Sequence, residues 1–357
     1  MTAPTAKTVH DCLKSIPGLT PDMVSGISVD AGKVVFAIEV EPSQAKAMEP
    51  VRRAAEEAVR KMDGVASATA VLTAERKAPP QMQAKQPMHK VSQRPVAPQV
   101  KHIVAVASGK GGVGKSTVAA NLAHALKAMG KKTGLLDADI YGASQPRMMG
   151  LRERPETDDA GLIIPPEAHG LKLMSMGFFV EETAPVIWRG PMVHAAIQQL
   201  LRDVAWGELD ILVIDLPPGT GDAQLSLVQN VPLSGAVIVS TPQDVALSEA
   251  AKGLLMFQKV GVPVLGFIEN MSYHICSSCG HREEIFSHGG ARAAAEKMNV
   301  PFLGEIPLDA DVRIAADAGA TLKNAAIEEV FKNIAARIWM TLPAEKTVPR
   351  PPKAARI

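Results

Sequence analysis

Hydrophobic and polar positions alternate along the chain with two different periods. Short apolar runs rich in Val, Ile and Leu have the length of buried strands, and stretches with helical spacing of apolar residues separate most of them. The strand-like runs in the larger part of the chain are Ile103–Ala107, Thr133–Leu136, Leu171–Met174, Ile211–Ile214, Ala236–Val239, Val264–Ile268 and Phe302–Leu303. This alternation predicts an α/β fold with a mostly parallel sheet and helices on both faces.

The first part of the chain predicts a smaller α/β domain that precedes the large one. We expect a helix over Val9–Ile16 and a strand over Val34–Val40. A second helix is expected over Pro50–Met62, beginning at its proline, and a closing strand over Gly64–Leu72. The domain is therefore placed at residues 1–76.

Two segments lack apolar periodicity. Residues 77–100 are rich in Pro, Gln and Lys, which predicts an extended linker between the domains. From residue 343 the chain is again polar and proline-rich, which predicts a disordered tail over 343–357. The large domain is accordingly expected over 101–342.

Composition narrows the range of partners and locations. The 357 residues are 46% hydrophobic and 21% charged, as in ordinary globular proteins. With 38 Lys and Arg against 37 Asp and Glu, the net charge of +1 predicts no bulk attraction to nucleic acid or to a membrane surface. The start of the chain lacks a secretory apolar segment, and no apolar run is long enough to span a bilayer. Three cysteines are too few for a disulfide framework, so we expect a cytoplasmic protein.

One glycine-rich loop carries the strongest chemical signal. It follows the strand Ile103–Ala107, precedes a helical pattern, and fits the phosphate-binding pattern G-x-x-x-x-G-K-[ST]. The loop is Gly109-Lys110-Gly111-Gly112-Val113-Gly114-Lys115-Ser116. A strand, a glycine turn and a helix N-terminus surround a phosphate chain with N–H groups. Lys115 would neutralise the β- and γ-phosphates, and the Ser116 hydroxyl would ligate Mg²⁺, whereas Lys110 sits where it could reach phosphates held by a neighbouring subunit.

Acidic residues follow two of the other predicted strands. Asp137 and Asp139 come directly after Thr133–Leu136, and Asp215 ends the run Ile211–Ile214. Mg²⁺ is usually held by one or two carboxylates together with phosphate oxygens. Because parallel strands end at one edge of a sheet, we expect these acids to lie near the phosphate loop.

A pair of cysteines, Cys276 and Cys279, forms a C-x-x-C turn followed by glycine. Two thiolates at this spacing can face one metal ion, but they are half of a four-thiolate site. Two copies could hold a [4Fe–4S] cluster on a two-fold axis, or His274, His281 or His288 could complete a zinc site. The remaining alternatives are a redox-active dithiol and a pair of cysteines that bind no metal. Cys12, in the first helix pattern, is expected to be a buried small side chain.

The combination of motifs resembles the Mrp/ApbC-type iron–sulfur cluster carriers of the MinD/Mrp group of P-loop ATPases. The loop with its early Lys110 resembles the deviant Walker A loop of that group. The segments 189–192 (Arg-Gly-Pro-Met), 215–222 (Asp-Leu-Pro-Pro-Gly-Thr-Gly-Asp) and 270–279 (Asn-Met-Ser and then C-x-x-C) follow in the family's order. The domain at 1–76 is similar to the small iron–sulfur assembly domain fused to such proteins, although Glu41–Gln44 lacks the cysteine that many versions carry.

The resemblance implies roles for individual residues and a choice among the cysteine alternatives. Asp139 would position the attacking water, Asp137 and Asp215 would hold the Mg²⁺ shell, and Gly219 would offer its N–H to the γ-phosphate. Asn270 would pair with adenine. The family's nucleotide is ATP, bound by Gly109–Thr117, and Lys110 would act across a homodimer together with catalytic Lys115. The implied function is slow ATP hydrolysis by a carrier that holds a [4Fe–4S] cluster on Cys276 and Cys279 of two subunits. The carrier would transfer the cluster to apo-proteins, and its other partners would be cluster assembly factors.

Two other functions remain as alternatives. A positioning ATPase of the MinD or ParA kind, with a structural zinc site, would share the phosphate loop but would need an amphipathic anchor or a basic patch. The helical pattern Leu322–Leu342 runs into Pro343 and a proline-rich tail instead. A reductase like the nitrogenase iron protein ranks last, because its relatives take their cysteines from two separate loops. Arg189 is assigned either to a dimer interface or to coupling between the nucleotide state and the cluster, and equally to the plain surface.

Overall fold

A computed structural model of the chain describes residues 4–20, 23–30, 32–40, 45–74, 95–179 and 190–344. The chain divides into two compact units, Met1–Val91 and Ser92–Ile357, and each unit has its own apolar core. Most of the predicted linker, Arg189, and the predicted tail from residue 345 onward lie outside the described residues. The domain boundaries therefore stay a prediction.

The described part of the small unit is a three-stranded sheet covered by two helices. The strands are β1 (Val24–Asp30), β2 (Lys33–Val40) and β3 (Ser67–Ala74), in that order, with β1 antiparallel and β3 parallel to β2. The helices are α1 (Ala6–Leu13) and α2 (Ala45–Arg60). Alternate residues of β2, such as Phe36 and Ile38, are buried because a strand turns every second side chain to the same face.

Several boundaries in the small unit were predicted wrongly. The first helix covers Ala6–Leu13 and not Val9–Ile16, and the closing strand covers Ser67–Ala74 and not Gly64–Leu72. The second helix begins at Ala45 and not at Pro50, which lies inside it. A proline inside a helix lacks one backbone hydrogen bond but keeps a helical φ, so the helix can run through it at a cost. Arg52 follows on the same helix and forms ion pairs with Glu49 and Glu56, one turn away in each direction. Side-chain pairs at this spacing support a helix by a few tenths of a kcal/mol each, roughly. Strand β1 was not predicted.

Within its described residues, the large unit is built on an eight-stranded sheet in the order β13-β10-β9-β4-β8-β5-β7-β6. All neighbouring pairs are parallel except β6 and β7, which form a hairpin. The strands are β4 (Val100–Ala107), β5 (Thr133–Asp137), β6 (Glu167–Ala168), β7 (Leu171–Ser175), β8 (Leu209–Asp215), β9 (Gly235–Ser240), β10 (Val264–Asn270) and β13 (Phe302–Ile306). A separate two-stranded hairpin pairs β11 (His274–Ile275) with β12 (Arg282–Glu283).

Helices alternate with these strands along the chain. They are α3 (Lys115–Ala128), α4 (Gln145–Met148), α5 (Gly190–Arg202), α6 (Asp222–Asn230), α7 (Asp244–Lys259), α8 (Gly290–Lys297), α9 (Ala310–Ala318) and α10 (Ala325–Thr341). The central strands are buried along nearly their whole length, as a sheet covered on both faces requires. The predicted α/β fold class is confirmed, and each of the strand-like runs predicted for this part of the chain forms a strand. Among the described residues, no helix is long and apolar enough to cross a bilayer.

Parallel pairing determines where the site forms. Because β4, β5, β8 and β10 run in the same direction, their carboxyl ends lie along one edge of the sheet. The residues at or just beyond these ends are Gly109, Asp137, Asp215 and Asn270. Ligands of open parallel sheets bind at this edge, outside the strand ends.

Candidate functional site

The glycine-rich loop connects β4 to α3 in a conformation that requires its glycines. Gly112 and Gly114 have φ of +81° and +80°, in the left-handed region that other residues rarely adopt. A Cβ on Gly114 would collide with Nδ2 of Asn270, and one on Gly109 would collide with the backbone of Glu249 in α7. The loop is thus packed closely between two elements, while Gly111 and Gly112 border open space.

Lys115 is the first residue of α3 and is paired with a carboxylate in the interior. Its side chain is 6% exposed, and its Nζ donates to Oδ1 of Asp215 at 2.5 Å, one hundred positions away in the sequence. The same ammonium lies 3.6 Å from Oδ2 of Asp139 and donates to Oγ of Ser116 at 3.2 Å. A buried charge requires a partner of opposite sign, which Asp215 supplies at the end of β8.

Asp137 accepts hydrogen bonds from the turn that follows β5. Its Oδ2 accepts hydrogen bonds from the backbone N–H groups of Ser144 and Gln145, at 3.1 Å each, and from the Ser175 hydroxyl at 3.0 Å. Its Oδ1 accepts from the N–H of Asp139 at 3.1 Å. Burial and then the charge of Asp215 raise the pKa of Asp137 to about 7, although these hydrogen bonds oppose the shift. The side chain therefore shapes the segment that carries Asp139.

Asp139 lies closer to the surface than the other two aspartates of the site. Its Oδ1 accepts a hydrogen bond from the N–H of Gly142 at 3.2 Å. Burial raises the pKa of the Asp139 carboxyl, and the nearby Lys115 ammonium opposes that increase. Two of the three aspartates predicted from the strand ends, Asp139 and Asp215, thus lie around one lysine, and the charge of Asp215 acts on the third, Asp137.

Sequence reasoning missed two polar residues of this site. Gln145, fully buried at the start of α4, donates through Nε2 to Oδ2 of Asp215 and to the carbonyl of Ser116, at 2.9 Å each. Its Oε1 has no hydrogen-bond partner among the described residues. Ser175 ends β7 and binds Asp137. The sequence signal for both residues was only that a polar side chain lies at or after a predicted strand, and many ordinary turns have such a residue.

The remaining loop residues of the prediction lie close by. The N–H of Gly219, at φ +103°, donates to the carbonyl of Ser108 at 3.0 Å. Lys110 is half-buried, and its carbonyl accepts from the Ser108 hydroxyl at 2.9 Å. The carbonyl of Thr117 accepts from the side chain of Asn121 at 2.9 Å. The roles assigned to Gly219, Lys110 and Thr117 stay predictions.

Asn270 contacts the phosphate loop directly. It is the last residue of β10, is 7% exposed, and donates through Nδ2 to the carbonyl of Val113 at 2.8 Å. The contact places Asn270 beside the phosphate loop, and its pairing with adenine stays a prediction. In this structure the amide group serves to fasten the loop to the strand.

The two cysteines occupy the turn of the hairpin that joins β11 to β12. The N–H of Cys276 donates to the carbonyl of His281 at 2.9 Å, and that of Gly280 donates to the carbonyl of Cys276 at 2.8 Å. Cys276 is half-buried and Cys279 is exposed. Hydrogen bonds from the N–H groups of Ser278 and Cys279, and from the Cys279 side chain, lower the pKa of the Cys276 thiol. A lowered pKa favours the thiolate, the form that binds metals.

Two of the three histidines near the cysteines contact other groups. Nδ1 of His274 lies 3.0 Å from the carbonyl of Leu308, and Nε2 of His288 lies 3.2 Å from Oε2 of Glu305. Within the part of the chain that the structure describes, no group of three or more His, Cys, Asp or Glu is arranged to hold a metal ion. Cys12 in α1 is half-buried, more exposed than expected from the sequence.

Comparisons with families and relatives agree on one group of proteins. A family model described as the NUBPL iron-transfer P-loop NTPase matches residues 99–339, and one described as an iron–sulfur cluster assembly protein matches residues 7–70. The iron–sulfur cluster carrier protein of Haemophilus influenzae is 51% identical over 260 residues, covering 72% of this chain and 69% of the relative. The mouse iron–sulfur cluster transfer protein NUBPL is 56% identical over 222 residues, covering 62% of this chain and 70% of the relative.

Solved structures show the same fold. A nucleotide-binding protein from Archaeoglobus fulgidus, in complex with ADP, is 37% identical with a TM-score of 0.57, covering 70% of this chain and 95% of that one. The cell division ATPase MinD of Pyrococcus furiosus is 24% identical with a TM-score of 0.50, covering 67% of this chain and 99% of that one, and it supports the fold alone.

Proposed function

The chain belongs to the NUBPL iron-transfer P-loop NTPase family, and from that premise we propose an ATP-hydrolysing iron–sulfur cluster carrier. In this proposal two copies hold a [4Fe–4S] cluster between them as cargo and transfer it to apo-proteins. One observation carries the proposal: the same unit contains a phosphate loop and a C-x-x-C hairpin. Asn270 contacts the phosphate loop and ends the strand that leads into the hairpin.

The phosphate loop supports nucleotide binding because it leaves open space where phosphates approach. A Cβ at Gly111 or Gly112 would meet nothing within 4 Å, and the N-terminus of α3 follows directly. Helix N-termini attract anions through free N–H groups and the helix dipole. Lys115 is the cation for those phosphates, and binding requires it to exchange part of its pairing with Asp215 for the phosphate oxygens.

The donors around Lys115 also fit Mg²⁺. The Ser116 hydroxyl and the Asp215 carboxylate are hard oxygen ligands on neighbouring elements, and Mg²⁺ prefers such ligands and keeps several waters. The unpartnered Oε1 of Gln145, on a side chain bonded to both Ser116 and Asp215, suits a water of that shell. Asp137 contributes indirectly, since backbone N–H groups and the Ser175 hydroxyl hold both of its oxygens, whereas both oxygens of Asp215 accept from the side chains of Lys115 and Gln145.

Hydrolysis depends on one water held in line with the γ-phosphate. Asp139 is the residue we assign to that water, because it lies 3.6 Å from Lys115 and nearer the surface than Asp137 or Asp215. Two more residues complete the assignment. Gly219 would donate its N–H to the γ-phosphate, and Lys110 would contact the nucleotide bound by the other copy. ATP is proposed over GTP from the family resemblance, and Asn270 is the residue proposed to contact its base.

The cysteine hairpin fits a cluster shared by two copies. A cluster needs four ligands, one chain supplies Cys276 and Cys279, and the exposed Cys279 lies on a turn that another copy can approach. Two of the three candidates for a zinc site within one chain, His274 and His288, lie within hydrogen-bonding distance of Leu308 and Glu305, and the third, His281, is exposed. We therefore favour the carrier over a positioning ATPase with structural zinc.

The rest of the proposal concerns domains and partners. Residues 1–76 would form the iron–sulfur assembly domain, 77–100 a linker, 101–342 the ATPase domain and 343–357 a tail. Residues 7–70 match the family model of the iron–sulfur cluster assembly protein, which supports apo-proteins and other assembly factors as partners. We propose a cytoplasmic homodimer without nucleic-acid or membrane partners.

The test is anaerobic reconstitution of the full chain with iron and sulfide, with oligomeric state measured in parallel. Wild type should contain about two irons and two sulfides per chain in a dimer, since four thiolates hold one cluster. Cys276→Ser and Cys279→Ser should lose both while retaining ATP binding, and Cys12→Ser, the matched control in the other unit, should retain the cluster. One zinc per chain in a monomer that takes up no iron would overturn the carrier proposal.

A further inference from the structure

The residue that precedes Asn270 is a carboxylate buried in the end of a strand. Glu269 has no exposed surface, and each of its oxygens accepts hydrogen bonds. Oε1 accepts from the Ser272 hydroxyl at 2.7 Å and from the N–H of Gly289 at 3.0 Å, and Oε2 accepts from the N–H of Ala291 at 2.7 Å. A buried carboxylate is costly to desolvate, so a glutamate retained here with three donors has a specific structural task.

The three donors lie on both sides of the cysteine hairpin. Ser272 comes just before β11, whereas Gly289 and Ala291 belong to the N-terminus of α8, which follows the hairpin. Glu269 therefore closes the base of the segment 272–289 that carries Cys276 and Cys279. The carboxylate also stabilises α8, because negative charge is favourable at a helix N-terminus.

Asn270 links the same strand end to the phosphate loop. Its side chain donates to the carbonyl of Val113 and lies against Gly114, so the loop cannot shift without changing this contact. Glu269 and Asn270 are adjacent in β10, and adjacent residues of a strand point to opposite faces. Asn270 therefore binds the phosphate loop on one side of the strand, and Glu269 binds the cysteine segment on the opposite side.

A second carboxylate, on the neighbouring strand, restrains the far part of the hairpin. Glu305 of β13 is the register partner of Glu269 and lies within hydrogen-bonding distance of Arg282, His288 and Arg292. Arg282 of β12 also stacks over the ring of Tyr273, with its guanidinium 3.8 Å from the ring centre. The cysteine turn is therefore attached to the sheet at its base and along β12, so a displacement of the strand end is passed to the cysteines.

We propose that Glu269 is a positioning residue that couples the occupancy of the phosphate loop to the cysteine pair through Asn270. The inference rests on the proposed function, because it concerns the cluster that the pair would hold. A nucleotide in the loop changes the partners of the Asn270 amide. The strand end then adopts a second arrangement, and Glu269 carries this change to both ends of the segment 272–289. A nucleotide that binds the two arrangements unequally thereby changes how firmly the cluster is held.

The test measures the rate at which a chelator removes iron from the reconstituted full chain, with and without a non-hydrolysable ATP analogue. Wild type should show a ratio of at least about fivefold between the two rates, the lower end of usual coupling between sites. Glu269→Gln keeps the shape but turns an amide N–H₂ toward backbone donors. We expect it to bring the ratio to about one while the Kd for the analogue changes less than about threefold.

Two further variants keep the test decisive. Ser272→Ala removes one donor and leaves both backbone bonds of Glu269, so it should fold even if Glu269→Gln does not, and it should reduce the ratio at least by half. Glu208→Gln, which removes a charge from an exposed residue next to Lys132, should keep the wild-type ratio.

The outcomes separate the two proposals. A wild type that holds iron and sulfide but shows the same rate with and without the analogue would overturn the coupling and leave the carrier intact. An unchanged ratio in both Glu269→Gln and Ser272→Ala would overturn the role of Glu269. A wild type that takes up no cluster at all would overturn the carrier proposal itself.

Discussion

The phosphate site and the cysteine hairpin are two neighbouring regions of one unit that are built in opposite ways. The phosphate site joins Lys115 and Asp215, which are one hundred positions apart, as a buried ion pair between the start of α3 and the end of β8. The cysteine hairpin places Cys276 and Cys279 in one turn, with Cys279 exposed to solvent. The first site exists only in the folded sheet, whereas the second needs little more than a local turn.

This difference shows which contacts each of the two regions depends on. Buried charges at the phosphate site stabilise the fold only while each has its partner, so chemistry and stability are joined there. The two cysteines, one half-buried and one exposed, belong to no buried ion pair and remain available to a second copy. They depend on the fold through the contacts that attach the hairpin, among them those of Glu269 and Glu305.

The largest expected effect comes from breaking the buried pair. Lys115→Ala should lower ATP turnover by about 10²–10³-fold, since it removes a cation preorganised for the phosphates. It also leaves Asp215 as a buried charge without its main partner, which should cost about 3–5 kcal/mol in the free energy of unfolding. Steady-state ATP hydrolysis and urea unfolding measure the two effects.

The matched control is Lys132→Ala, because that lysine is exposed and its side chain pairs with Glu208 at the surface. Its loss should change stability by less than about 1 kcal/mol. A Lys115→Ala protein with turnover within tenfold of wild type would show that the buried pair is structural and that another residue serves the phosphates.

A smaller effect should separate close packing from backbone strain in the phosphate loop. Gly112 and Gly114 share nearly the same positive φ, but only a Cβ on Gly114 collides with Asn270. Both alanine variants should lose about 1–2 kcal/mol from the left-handed backbone. Gly114→Ala should in addition displace Asn270 and weaken binding of an ATP analogue about tenfold more than Gly112→Ala, which corresponds to about 1.4 kcal/mol.

Unfolding curves and analogue titrations of the two variants give the comparison. Equal losses of affinity would mean that the contact between the loop and β10 does not matter for nucleotide binding. That result would also remove the structural basis for coupling through Asn270.

The smallest effect concerns pH and the attachment of the hairpin. Burial tends to raise the pKa of Glu305, but hydrogen bonds from Arg292 and His288 outweigh it and hold that pKa below the ordinary value of 4.5. A carboxyl with a lowered pKa stabilises the folded state above its unfolded pKa, and this contribution disappears as pH falls through the lowered value. The contribution should be about 1 kcal/mol or less, because the pair is partly exposed.

Urea unfolding of the cluster-free protein between pH 7 and pH 3 tests this. Glu305→Gln should be less stable than wild type at pH 7, and the difference should shrink as pH falls below 4.5. A difference that is constant over the whole range would assign the effect of the substitution to packing and not to charge.

Local signals in the sequence predicted most of the fold and the chemistry of both regions. The strands of the large unit form buried apolar runs, which period and composition reveal without tertiary information. The phosphate loop and the C-x-x-C turn have their residues within a few positions of one another, so spacing alone indicates them. Asp137, Asp139 and Asp215 were also found, because they follow predicted strands whose ends must meet in a parallel sheet.

The partners of these residues were decided by tertiary structure. No residue near Lys115 in the sequence indicates that Asp215 is its partner. Gln145, at a helix start, and Ser175 and Glu269, in strand ends, resemble ordinary polar residues until packing buries them. The start of α2 was missed for a related reason, since intrinsic preference places a proline at a helix start while pairing around Arg52 supports the longer helix. Sequence specifies local conformation through short-range sterics and hydrogen bonds, whereas burial and pairing of charges depend on which distant segments the sheet brings together.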